Sequence, residues 1–193
     1  ILRGYGRVSK GLYVISLNGK ILVDVNISGD EAMLLANSLS NATIIVSENR
    51  IKAILKAKEL GCKIIFLDDG FSKYQISKFN ILLRPKDEPT NIFCLPSGGY
   101  REPKGFYAQA NIELLEGTDF ERVISIKNDG KVCELPAKTI LITAISKPKR
   151  LLEFLPKDIK MISFPDHYTF TKDDIFKIQN EYKDYSFVTT GKD

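Results

Sequence analysis

Residues 63–71 read Lys-Ile-Ile-Phe-Leu-Asp-Asp-Gly-Phe. A run of large apolar side chains ends abruptly in two carboxylates and a glycine. The run is too short for a helix and has turn signals on both sides. It therefore reads as a buried parallel strand, of the kind that needs a sheet covered on both faces. That requirement points to an α/β fold. In open α/β sheets, ligands bind beyond the carboxyl ends of the strands. Asp68 and Asp69 are thus expected at the mouth of a site. Adjacent carboxylates repel unless a cation or a bound proton offsets the charge. A magnesium ion with a nucleotide phosphate is one solution, the Walker B arrangement. A solvated, turn-forming Asp-Asp-Gly is the other.

The pattern of short apolar runs recurs along the chain. Residues 43–46 read as a second buried strand, and Asn49 opens a helix that Gly61 stops. With residues 63–68 this makes a strand-helix-strand unit, a right-handed parallel crossover by default. Asn18-Gly19 and Asp129-Gly130 sit between alternating segments and predict hairpins. Ser28 or Asp30 is expected to cap a helix beginning near residue 31. Residues 79–83 read as a strand and 104–116 as a helix. From Thr139 the pattern restarts: strands at 140–144, 161–164 and 186–188, with helices opened by Pro148 and by Thr171. The division expected is an α/β core over 1–118, a two-stranded linker over 119–136, and a second α/β domain over 137–193.

Composition narrows the function classes. The 193 residues are 44% hydrophobic and 27% charged, enough to bury a core. A net charge of +4 suits an anionic substrate or an acidic membrane surface and is too weak to argue for nucleic acid. Cys62, Cys94 and Cys133 are widely spaced with no C-x-x-C, and read as reduced, mostly buried thiols of a cytosolic protein. No apolar run is long enough to span a bilayer. The chain starts at Ile1 inside an apolar run and stops directly after a strand, so a fragment cut at both ends is expected.

Charged groups recur where strands or rigid loops end: Asp30-Glu31, Asp68-Asp69, Arg101-Glu102 and Asp166-His167. His167 is the one histidine. An adjacent carboxylate raises the basicity of an imidazole, and histidine is the commonest general base. The bland readings are a helix cap for Asp30 and a structural histidine.

Six motifs in order resemble the tetraacyldisaccharide 4′-kinase family: Arg3-Gly4-Tyr5-Gly6, Gly29-Asp30-Glu31, Leu67-Asp68-Asp69-Gly70-Phe71, Arg101-Glu102-Pro103, Phe164-Pro165-Asp166-His167, and Thr189-Thr190 with Lys192-Asp193. The resemblance implies a P-loop-kinase-like α/β/α sandwich with a second, smaller α/β/α domain joined by a two-stranded β linker. It implies transfer of the γ-phosphoryl of ATP to the 4′-hydroxyl of an acylated glucosamine disaccharide 1-phosphate. The product would be lipid IVA, made in lipid A biosynthesis at the cytoplasmic face of the bacterial inner membrane. Residue by residue, it implies a catalytic dyad of Asp30 and His167, and Mg²⁺ held near Asp69 and Glu102 with Asp68 beside them. Glu31, Arg50, Arg101 and Asp166 fall at supporting or substrate-binding positions. Asp30, Asp69, Glu102 and His167 are expected to converge on one cleft.

The chain also departs from the family. Ser72-Lys73 follows Asp-Asp-Gly-Phe where the family has Gln-His, and no role is transferred to those two. Gly98-Gly99-Tyr100 stands where Gly-Pro-Leu is more frequent. No G-x-x-x-x-G-K-[ST] occurs; in the family that loop lies upstream, so these residues alone are expected to be inactive. Two alternatives stay open from the residues: a receiver-like phosphoacceptor domain, and a non-catalytic binding remnant of the kinase fold.

Overall fold

The computed structural model describes residues 1–193. Its contacts form two compact units: Ile1–Arg3 with Asn49–Val123, and Gly4–Glu48 with Ile124–Asp193. This grouping interleaves the chain, where the sequence suggested a linear division.

In the first unit, helix α3 (Arg50–Glu59) starts at Asn49, whose side chain accepts from the Lys52 amide. Its end is a Schellman motif. Gly61 takes φ +77°, its amide bonds Lys58 O, and Cys62 N bonds Ala57 O. Strands β4 (Ile81–Arg84) and β5 (Ile112–Leu115) pair in parallel. The helix expected over 104–116 is instead a 3₁₀ segment, Lys104–Gln109, running into β5. Pro103 and Gly105 weaken its start, and Asn111 stops it by accepting the Asn80 amide through its side chain, which seats β5 beside β4.

The run 63–68 is not a strand in a sheet. Its backbone bonds reach Ile1, whose amine donates to Phe66 O at 2.7 Å and whose carbonyl accepts from Asp68 N at 3.0 Å. A buried strand needs ladders on both sides, and here Ile64 and Phe66 stay 75% exposed. The expectation of a buried central strand is corrected accordingly, and with it the parallel crossover.

In the second unit, β1 (Tyr13–Leu17) and β2 (Lys20–Ile21) form the expected hairpin, with Asn18 and Gly19 both at positive φ. Helices α1 (Val25–Ser28) and α2 (Asp30–Ser38) follow. Strand β3 (Ile44–Val46) is fully buried, but it pairs antiparallel with β1, giving the order β2-β1-β3. A second small hairpin, β6 (Lys127–Asn128) with β7 (Lys131–Val132), turns over Asp129-Gly130. It is shorter than the strands expected from 121 to 135.

The rest of this unit follows the expected order. Strand β8 (Thr139–Thr143), buried throughout, lies between β9 (Lys160–Ser163) and β10 (Ser186–Val188), all parallel. Pro148 opens a 3₁₀ helix to Phe154. Helix α4 (Lys172–Glu181) starts with a capping box between Thr171 and Asp174, and its Ile178 packs on Ile140 and Ile142. The three cysteines are free thiols; Cys133 is exposed, against the expectation of burial.

Candidate functional site

His167 lies just beyond the carboxyl edge of the parallel sheet. The β8–β9 register continues past the strand ends: Phe164 N donates to Thr143 O, and His167 N donates to Ala144 O, both at 2.9 Å. This is the edge where open α/β sheets place ligands. His167 takes φ +61°, a left-handed conformation costly for a side-chain-bearing residue. Its ring Nδ1 lies 3.0 Å from Asp30 Oδ2, a contact between residues 137 apart in sequence.

Asp30 is the first residue of α2. Gly29 occupies the cap position and no side chain caps the helix, so Asp30 is not the cap that local reasoning suggested. Its carboxylate is aimed at the imidazole instead. With Asp30 ionised, the ring hydrogen belongs on Nδ1, which leaves Nε2 with a lone pair. Asp166 Oδ2 is 3.8 Å from that Nε2, too far for a hydrogen bond. Asp30 Oδ1 has no protein partner, so the pair presents two proton-accepting atoms.

The Arg3-Gly4-Tyr5-Gly6 loop sits against this pair. The Tyr5 ring centroid is 5.6 Å from that of His167. Gly6, at φ +77°, passes the imidazole so closely that a Cβ there would stand 3.6 Å from Nδ1. Glu31, next to Asp30, accepts from Lys192 Nζ at 2.7 Å, across 161 residues of sequence. Local patterning gave no signal for Lys192 as its partner; only the recurrence of Lys192-Asp193 among the family motifs marked it.

The other predicted residues lie in the first unit. Asp69 accepts from Arg101 Nη1 at 2.7 Å, both side chains largely exposed. Glu102 Oε2 accepts from the Tyr74 hydroxyl at 2.7 Å, and partial shielding from water together with that carboxylate pushes the phenol up to about 12. Arg50 is buried and donates Nη2 to the Asp68 carbonyl at 2.9 Å. Burial lowers the Arg50 pKa, an effect opposed by Asp68 and Asp69. Asp69 shares with His167 a left-handed backbone, φ +48°. The other two such non-glycine residues, Asn18 and Asp129, are hairpin turns.

No cluster of three or more His, Cys, Asp or Glu side chains forms a self-sufficient metal cage. Nucleotide-bound Mg²⁺ does not need one: it takes one or two carboxylates and completes its shell with phosphate and water. Asp69 Oδ1 and Glu102 Oε1 make no protein hydrogen bond, so each carboxylate keeps one oxygen open to a ligand.

Comparison with known proteins gives a consistent result. The sequence model of the family described as tetraacyldisaccharide-1-P 4′-kinase matches residues 1–193. The tetraacyldisaccharide 4′-kinase of Aliarcobacter butzleri is 77% identical over 193 residues, covering all of this chain and 62% of that protein. The Helicobacter acinonychis protein of the same name is 47% identical, covering all of this chain and 60% of its own length. The chain thus spans about three-fifths of the curated relatives it matches. Among solved structures, an "apo" form of LpxK from Aquifex aeolicus in complex with ATP superposes with a TM-score of 0.68 at 27% identity, covering all of this chain and 67% of that one. The likeness extends to the fold, mixed α/β with parallel sheets.

Proposed function

The chain belongs to the tetraacyldisaccharide-1-P 4′-kinase family, and from that premise we propose that its residues serve an ATP-dependent kinase that phosphorylates the 4′-hydroxyl of tetraacyldisaccharide 1-phosphate to give lipid IVA. The observation that carries this reading is the Asp30–His167 contact at 3.0 Å. Phosphoryl transfer asks a protein for positioning and charge neutralisation, with little covalent chemistry. The acceptor hydroxyl must lose its proton as the new P–O bond forms. Asp30, oriented by the imidazole N–H, is the group to take it. The proton then rests on Asp30 Oδ1, while the imidazole N–H keeps its hydrogen bond to Oδ2 and holds the carboxyl in place.

Asp69 and Glu102 are the side chains to hold Mg²⁺, with Asp68 beside them; bound there, the ion would offset triphosphate charge. Arg101 lies against Asp69 and would balance that charge when no nucleotide is bound. Arg50, buried and bonded to the Asp68 carbonyl, holds the shape of the Asp-Asp-Gly turn. Glu31 and Asp166 flank the dyad in sequence and take supporting roles.

The acceptor carries acyl chains that must stay in a bilayer, so we place the protein peripherally at the cytoplasmic face of the inner membrane. No helix of the chain is long and apolar enough to cross a membrane. Its net charge of +4 suits an anionic surface. The comparisons favour neither the receiver-like nor the binding-remnant alternative.

The test is incubation of the full-length protein with labelled ATP, Mg²⁺ and the tetraacylated disaccharide 1-phosphate in mixed micelles, with the modified hydroxyl located by NMR. A labelled 4′-phosphate is expected. Absence of transfer, or transfer to another hydroxyl, would refute the reading.

A further inference from the structure

The segment after β10, Thr189–Asp193, has no part in the roles assigned above. Its last carboxylate is heavily bonded all the same. Asp193 Oδ2 accepts from the hydroxyls of Thr190 at 2.8 Å, Thr143 at 2.9 Å and Thr189 at 3.2 Å, and from the Thr190 amide at 3.2 Å. Its Oδ1 accepts from the Ala144 amide at 2.9 Å. Partial burial works to raise the Asp193 pKa, but the bonds from Ala144, Thr190 and Thr143 outweigh it and hold the carboxyl below its ordinary value. It is therefore ionised near neutral pH.

Ala144 connects this cluster to the dyad. The residue is buried, its N–H is held by Asp193, and its carbonyl accepts the His167 amide at 2.9 Å. His167 needs such a hold because its φ of +61° is unfavourable for any residue but glycine, and to a lesser degree Asn or Asp. If the Ala144 carbonyl shifts, the backbone at 167 can relax to negative φ, and the imidazole swings off Asp30. The neighbouring Lys192 reaches the helical turn that carries the other member of the pair. Its ammonium grips Glu31 in the same helical turn as Asp30. One five-residue segment thus touches the supports of both halves of the dyad.

The geometry points to Asp193 as a positioning residue for the Asp30–His167 pair, acting through the Ala144 backbone, with Lys192 bracing Asp30's turn through Glu31. This rests on the kinase reading above. A carboxylate that sets ring placement by an ångström can govern a rate about 10²-fold without touching a reactant.

The experiment is a double-mutant cycle in the full-length enzyme, with Asp193→Ala made alone and in a His167→Asn background. Alone, it is expected to lower kcat by roughly 10- to 100-fold while KM for ATP changes by less than about threefold. In the His167→Asn background the further loss in kcat should be under about threefold, because the residue it positions is gone. Asp193→Asn keeps a carbonyl oxygen for the Ala144 amide and should recover most of the rate. Thr190→Val, which loosens Asp193 without removing it, gives the same test if Asp193→Ala does not fold, with a smaller loss that again vanishes without His167. Equal losses in both backgrounds, or Asp193→Asn as slow as Asp193→Ala, would overturn the proposal while leaving the kinase reading in place. A wild-type protein without transfer activity would overturn the reading and this proposal together.

Discussion

Removing either member of the Asp30–His167 pair should cost turnover far more than it costs folding. The substitutions are chosen on backbone grounds. Asp30→Asn keeps the shape of a residue in the first turn of α2, and His167→Asn supplies a residue that tolerates φ +61°. The side chains of His167 and Asp30 are 32% and 36% exposed, so water already competes for the contact between them. A pair of that kind contributes at most about 1 kcal/mol to stability. For a protein of this size that is a fall in Tm of about 2–4 °C. A general base is worth roughly 10²–10⁴ in rate, or about 2.7–5.4 kcal/mol of barrier. The two scales do not overlap, so kcat at saturating ATP and lipid, read beside a thermal melt, separates a catalytic role from a structural one. The double variant should be little slower than the worse single variant, since a unit disabled once cannot be disabled again. Losses that multiply to roughly 10⁴–10⁸ would show two independent residues. Near-wild-type turnover in either single variant would remove that residue from the mechanism.

Three further outcomes are expected. Glu88 accepts from Lys104, Arg84 and Tyr100, and the first two of these hold its carboxyl down to about 2 from an ordinary 4.5. Its contribution to stability is therefore complete above pH 4.5 and lost as pH falls towards 2; Glu88→Gln should flatten that part of the urea-measured stability profile, and an unchanged acid slope would contradict it. Thr171→Ala removes one side of the α4 capping box and should lower stability by about 1 kcal/mol in chemical denaturation. The 193 residues by themselves are expected to give no labelled lipid in the transfer assay, for want of a lysine-bearing phosphate loop; robust transfer would refute this.

Signals carried within a few residues were legible from the sequence. Asn18-Gly19 and Asp129-Gly130 turn hairpins because both positions of each need positive φ. Asn49 and Gly61 bound α3, and Thr171 with Asp174 opens α4, because caps answer to the nearest free amides and carbonyls. Pairing partners were not legible. The apolar pattern of residues 44–46 fits either ladder direction, and β1, some thirty residues upstream, made it antiparallel. Residues 63–68 have the composition of a core strand and lack the flanking ladders that would bury them. The candidate site divides the same way. Each carboxylate could be picked out at the end of a run, but that Asp30 faces His167 came from the family's motifs, since nothing local links residues 137 apart. The Lys192–Glu31 pair was missed because a lysine near a strand end has many possible partners and no spacing rule names one.

Backbone strain offers a separate test of the Asp-Asp-Gly turn, because it lets the carboxylate be removed without disturbing the fold. Asp69 sits at φ +48°, as the turn residue Asp129 does at +49°. Alanine in that conformation costs roughly 1–2 kcal/mol, while glycine adopts it freely and costs about 0.5–1 kcal/mol through unfolded-state entropy. Asp69→Ala should therefore be about 1 kcal/mol less stable than Asp69→Gly. The Asp69–Arg101 ion pair, largely exposed, is lost equally in both. If the carboxylate binds the nucleotide's metal ion, both variants lose kcat alike and need more Mg²⁺ for half-maximal rate. The same pair of substitutions at Asp129 should reproduce the stability gap with turnover intact. Equal melting temperatures for Asp69→Ala and Asp69→Gly would deny the strain, and an active Asp69→Gly would deny the carboxylate its metal. An activity that tracked stability across the two variants would mean that the turn's shape is what the reaction needs, with its charge incidental.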